Sequence, residues 1–172
     1  MALYTEEQRR WLISRWDYDL INRIVIALNE GRPIDILVEK VKQKKSIPEC
    51  AGELDMRGID LSHQNLRGPW ATIDGKRVRR GVSLRNVDLT FANLNWVILP
   101  HADLRGGVFV HADLRDAELI YSDLSGADLT GADMRGAWLI DTKFYDAKVT
   151  QQQLKSRRNL GQLDFDYHAF EL

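Results

Sequence analysis

Four histidines, a row of carboxylates and one cysteine are the side chains of this 172-residue chain best suited to chemistry. His63, His101, His111 and His168 are candidate metal ligands or proton carriers. Asp88, Asp103, Asp113, Glu118, Asp123, Asp128 and Asp133 are candidate general acids and bases. Cys50 is the one candidate thiol nucleophile, and a single cysteine excludes an internal disulfide. The spacing argues against all three uses. The carboxylates stand at multiples of five residues, a regularity that follows from a repeat and that no acid/base pair needs. There is no GxxxxGK, no GxGxxG after a strand, no HExxH and no second cysteine. The sequence therefore predicts no catalytic residue, no metal site and no cofactor.

The row of carboxylates belongs to a larger pattern. From Val82 to Gln151 every fifth residue is apolar, from Leu84, Leu89, Leu94 and Leu99 through to Leu139, Phe144 and Val149. At 44% apolar content, fourteen matches in succession arise by chance about once in 10⁵ trials per register. Two residues before each centre stands a small or β-branched residue, such as Ala92, Val97, Ala102, Ala112 or Ala127. A period of five suits neither a helix at 3.6 nor a strand at 2. It suits a chain that turns a corner every five residues, with four units closing a square coil of about 20 residues and coils stacked about 4.8 Å apart. The small and large positions then point inward and the other three outward. On that plan His101 and His111, half a coil apart, lie on opposite sides and cannot share a metal.

The phrase Ala-Asp-Leu-x-x at Ala102, Ala112 and Ala127, continued by Ala132-Asp133-Met134, resembles the pentapeptide-repeat family. The resemblance covers roughly residues 54–151. It implies a mainly β fold, a right-handed quadrilateral β-helix, and it implies no common enzymatic activity. Some members of that family resemble DNA in shape and charge and bind type II topoisomerases. Earlier centres fall at Met56, Leu61 and Leu66, but Leu54, Ile59 and Gln64 are larger than the usual Ala, which points to a distorted first coil.

The flanks read as helical caps, giving segments 1–50, 51–151 and 152–172. Thr5-Glu-Glu-Gln8 is a capping box, and Ile13, Trp16, Leu20, Ile24 and Leu28 follow at helical spacing up to a stop at Gly31. Pro33 opens a second helix with Ile34, Leu37, Val38 and Val41 on one face, so an N-terminal helical hairpin is predicted. The polar and basic run from Lys42 to Lys45 leads through Pro48 into the coil. Thr150-Gln-Gln-Gln153 starts a short C-terminal capping helix, with Leu154, Leu160, Leu163 and Phe165 available to cover the open end. No signal peptide or run of about 18 apolar residues is present, so a cytoplasmic, soluble protein is expected.

Two features are candidates for binding. The 18-residue step from Leu66 to Leu84 is one unit plus 13 residues, and within 67–81 the Asp74-Gly75 pair marks a hairpin carrying Trp70, Lys76, Arg77, Arg79 and Arg80. When residues 20 apart are stacked, one face collects Ile98, Pro100, Ile120, Tyr121, Trp138 and Ile140 where the repeat expects polar groups. The cover of that face is read as the N-terminal helices, a second subunit in a homodimer, or a foreign protein. The sequence thus points to a non-catalytic protein-binding or scaffold module. The alternative is a DNA-mimicking, topoisomerase (gyrase)-binding protein that confers drug or toxin resistance. Residues 82–151 hold ten acidic and six basic residues, and the bases are interspersed, so a duplex mimic is the weaker reading. Direct nucleic-acid binding and membrane association are not expected at a net charge of −1.

Overall fold

The computed structural model describes residues 4–39, 41, 50, 52 and 54–155. The run Lys42–Lys45, Pro48, Leu160, Leu163, Phe165 and His168 lie outside the described residues. The helices are α1 (Glu6–Ser14), α2 (Tyr18–Glu30), α3 (Asp35–Val38) and α4 (Gln151–Lys155), and the strands are β1 (Leu54–Asp55), β2 (Trp70–Ile73), β3 (Lys76–Arg79) and β4 (Val87–Asp88).

Most of the solenoid is built from single parallel bridges. Ser83 pairs with Asp103, Asp103 with Asp123 and Asp123 with Lys143, and the other sides follow the same 20-residue step. Four units therefore close one coil. Above the insertion the step lengthens to 33: β1 pairs in parallel with β4, Asp60 with Asn93 and Asn65 with Ile98. The extra 13 residues leave the coil and return without a change of frame. The first coil thus keeps the common register, against the expected distortion. Ile59 fits because its side chain is fully buried among the inward residues, while Gln64 stays partly exposed.

One unit shows why the period holds. In residues 112–116 the Ala112 N–H closes the preceding turn on the Phe109 carbonyl at 3.0 Å. The Asp113 N–H donates back to Ala92 at 3.0 Å, and those of Leu114 and Asp116 donate forward to Asp133 and Arg135 at 2.8 and 2.9 Å. The remaining N–H, of Arg115, donates to Asp113 Oδ1 at 3.1 Å. All five donors are satisfied, as a buried-backbone solenoid requires. The same side-chain bond joins Asp103, Asp123, Asp128 and Asp133 to the residue two further on. The aspartates that could be taken for acid/base groups, Asp88 included, are thus backbone acceptors.

Each corner places its third residue at positive φ, including the non-glycines Phe91, Trp96, His101, His111, Asp116 and Tyr121. Positive φ at that place is what a type II turn requires. Inside, the leucine centres and small residues are almost wholly buried. Two inward hydroxyls find carbonyls: Ser122 Oγ donates to Leu99 O at 2.6 Å and Thr142 Oγ1 to Leu119 O at 2.8 Å. Gly81 closes the insertion because a Cβ there would overlap the His101 carbonyl.

The first coil lacks a preceding layer, and helix side chains stand in for it. Arg15 and Trp16 Nε1 donate to the Arg57 carbonyl at 3.2 and 2.9 Å, Arg15 reaches Asp55 O at 3.2 Å, and Asn29 Nδ2 donates to Asn65 O at 2.7 Å. The single long first helix read from the sequence is two helices. Asp17 accepts from the Leu20 N–H and starts α2, which frees Arg15 and Trp16 to turn onto the coil. Gly31 ends α2 with φ of 69°. At the other end Gln153 Nε2 donates to Leu129 O at 2.7 Å and Ala132 O at 3.0 Å, and Leu154 is buried. Among the described residues no helix is long and apolar enough to cross a membrane.

Candidate interaction surfaces

The ionisable groups of the solenoid are mostly matched in pairs. Arg105, Arg115 and Arg135 fold back onto Asp103, Asp113 and Asp133 of their own units at 2.6, 2.5 and 2.5 Å, and Lys148 meets Asp128 at 2.9 Å. Hydrogen bonds from these arginines hold Asp103, Asp113 and Asp133 below the usual carboxylate range. A tighter cluster joins the helices to the first coil. Asp55 receives Arg57 and Arg15 at 2.7 and 2.6 Å, and Arg57 also donates to the Tyr4 hydroxyl at 2.9 Å. Burial opposes ionisation of Asp55, but the two guanidiniums outweigh it and hold the carboxyl far below its ordinary value. Burial pushes the Cys50 thiol up to about 11, and it donates to Gly52 O at 3.4 Å. A thiol in that state is a poor nucleophile. Among the described residues no group of three or more His, Cys, Asp or Glu is placed to hold a metal ion.

The insertion is an antiparallel ribbon. Trp70 pairs with Arg79, Ala71 with Val78, Thr72 with Arg77 and Ile73 with Lys76. Asp74 and Gly75 have φ of 49° and 73°, the two positive values that a primed hairpin turn needs. Trp70, Thr72, Arg77 and Arg79 share one face of the ribbon, and Lys76 and Arg80 are also exposed. The Arg77 and Arg79 guanidiniums lie 4.6 and 4.5 Å from the Trp70 ring centre. Arg79 Nη1 also donates to Gly68 O at 2.9 Å, tying the ribbon to its base.

The apolar face is assembled by the ladder Asn65–Ile98–Glu118–Trp138. Ile98, Ile120, Trp138 and Ile140 are partly exposed, and Tyr121 is 53% exposed with its ring stacked on His101 at 5.0 Å. Among the described residues, bonds and ring contacts from α1, the Arg15–Trp16 link and α2 reach Asp55, Arg57, Asn65, Gly68 and Phe91. These contacts fasten the helical region to the end of the coil, where the open carbonyls of the first coil lie.

A third surface escaped the sequence reading. Tyr4 meets Phe91 edge-on at 5.2 Å, Phe91 stacks on His111 at 5.5 Å, and Arg9 lies over Phe91. With Thr5, Glu6 and Gly131 they line a groove of about 370 Å³. The available signal was an aromatic at a corner position that favours Gly, Asn or Asp, followed 20 residues later by a histidine.

The pentapeptide-repeats family model matches residues 80–106 and 108–146 in eight copies. No curated protein matches the sequence. Among solved structures, a trypsin-treated QnrB1, a plasmid-mediated fluoroquinolone resistance protein, is 21% identical with a TM-score of 0.50, over 66% of this chain and 51% of that one. This chain thus spans about half of that relative's length. HetL, a pentapeptide repeat protein involved in heterocyst differentiation regulation from Nostoc sp. strain PCC 7120, is 23% identical over 64% of this chain and 50% of its own, with a TM-score of 0.40. The pentapeptide repeat protein alr5209 from Nostoc PCC 7120 is 29% identical over 65% of this chain and 84% of its own, with a TM-score of 0.39.

Proposed function

Because the chain belongs to the pentapeptide-repeat family, we propose that it is a non-catalytic protein-binding module of the cytoplasm. It is a right-handed quadrilateral β-helix, with an N-terminal helical hairpin and a short C-terminal capping helix, that presents its apolar face and basic hairpin to a protein partner. One observation carries this reading. On the other sides the residue before the centre is usually an Asp or Asn that accepts a backbone N–H, as Asp113 and Asn93 do. On this side the place holds Ile98, Glu118 and Trp138. At Ile98 and Trp138, in the layers on either side of Glu118, apolar groups have replaced useful backbone acceptors, a loss to the coil that is offset when a partner covers them. The test is capture of host proteins on the immobilised chain, compared with the Trp138→Asp/Ile140→Asp variant. A band retained by the first and lost by the second supports the reading, and identical capture overturns it.

The second reading is a topoisomerase-binding protein that confers drug or toxin resistance. A duplex mimic gains from uninterrupted negative charge, whereas here Arg105, Arg115, Arg135 and Lys148 sit on the neighbouring carboxylates. Inhibition of gyrase supercoiling by the purified protein, measured as salt is varied, decides between the two.

A further inference from the structure

We propose that the β2–β3 hairpin receives an acidic segment of the partner protein, with Arg77 and Arg79 reading its carboxylates from a platform formed by Trp70. This rests on the protein-binding reading above and names the chemistry of the partner. The solenoid spends four of its arginines internally, with Arg57, Arg105, Arg115 and Arg135 each on an aspartate. The hairpin does not. Lys76, Arg77, Arg79 and Arg80 are exposed, and among the described residues none of them meets a carboxylate within ion-pair distance. Arg77 and Arg79 are arranged instead on the Trp70 ring. A guanidinium stacked on an indole keeps its N–H edge available for a carboxylate, and Arg79, with one Nη1 N–H given to the Gly68 carbonyl, offers the others. It has also given up much of its rotamer freedom before binding, which lowers the cost of the contact.

The same geometry favours a polypeptide over a nucleic acid. Single-stranded nucleic acids are held largely by stacking bases on open aromatic rings, and this ring already has two guanidiniums as stacking partners. A duplex would bring dense phosphate charge against a chain of net charge −1. Ile73, 45% exposed at the end of the ribbon, adds an apolar contact suited to a peptide side chain.

The experiment uses the full chain and three fluorescent probes: a 12-residue poly-glutamate, a poly-lysine of the same length and a 20-base-pair DNA duplex. Anisotropy titrations are run in low and high salt, with circular dichroism melts to verify each fold. Poly-glutamate binds and poly-lysine does not. Arg77→Ala/Arg79→Ala weakens poly-glutamate binding by about tenfold or more, and added salt weakens the wild type in the same direction. Trp70→Ala weakens it without removing a charge, and Trp70→Phe restores most of the loss. Arg85→Ala, on the solenoid, leaves it unchanged. Absent poly-glutamate binding, equal binding by the double variant, or tighter duplex binding that the double variant loses would each overturn the proposal. Capture through the apolar face is read separately with Trp138→Asp/Ile140→Asp. A hairpin that ignores acidic probes therefore sinks this inference and leaves the protein-binding reading standing.

Discussion

The aspartate that stands before a centre is the smallest unit of this fold that explains itself. Its carboxylate reaches the one N–H that neither the turn nor the ladder uses, as Asp113 does for Arg115, and the arginine then folds back onto it. Asp113→Asn keeps an acceptor and is expected to change stability by no more than about 0.5 kcal/mol. Asp113→Ala leaves a partly solvated N–H and leaves Arg115 only the more distant Asp133, at 3.8 Å, and is expected to cost about 0.5–1.5 kcal/mol. Urea midpoints of the two variants check this, and equal effects would contradict the assigned role. The sequence displayed the positions but not the bond, since a polar outward residue reads the same whether or not it caps. Asp55 makes the pH prediction. Its folded carboxyl titrates well below the ordinary value because Arg57 and Arg15 hold it charged against burial. Its stabilisation is complete above the unfolded carboxylate value near 4 and is lost as pH falls below it toward the folded value. Between pH 6 and pH 3 the wild type should lose more stability to urea than Asp55→Asn, which has no such charge to lose.

At the scale of elements, the helices and the hairpin both answer the problem of ends and interruptions. A coil edge exposes carbonyls, and the link between α1 and α2 (Arg15 and Trp16) together with Asn29 of α2 supplies donors at the places a previous layer would fill. Asn29 is used twice, since its Oδ1 also accepts the Gly68 N–H at 3.1 Å where the insertion departs. Asn29→Ala should therefore cost about 1 kcal/mol and speed amide exchange at Gly68 more than at Leu94 in the central coil. Uniform exchange would show that Asn29 does not fasten this junction. Periodicity made the coil legible, because each unit repeats the same local solution, and the 18-residue gap from Leu66 to Leu84 gave the length of the insertion. The two-helix break at Asp17 was legible only in part. Ile13, Trp16 and Leu20 keep helical spacing across it, and the competing cap at Asp17 shows itself only once Trp16 has a carbonyl to meet. The Arg15–Asp55 pair was not legible, because it joins residues 40 apart that no local pattern links.

For the whole molecule the question is what the apolar face can hold. It spans three layers about 4.8 Å apart along one side of a narrow coil, so it offers on the order of 300 Å², within the range of a single functional patch. A stable dimer buries about 800 Å² on each partner. Two copies meeting through this face alone fall well short of that, whereas a single strand or helix of another protein could cover Ile98, Ile120, Trp138 and Ile140 together. The hairpin stands where β1's coil ends, so a partner that also reaches Arg77 and Arg79 gains area without needing a second flat surface. The chain is thus expected to run as a monomer in light scattering at micromolar concentration. Trp138→Asp/Ile140→Asp should stay monomeric with a Tm within a few degrees of the wild type, because both side chains project from the coil while Ala137 and Leu139 beside them fill the interior. It should also lose the captured partner. A wild-type dimer that the double substitution splits would reverse the argument and make the face a seam between copies. A large fall in Tm would instead place Trp138 and Ile140 among the residues that hold the solenoid together.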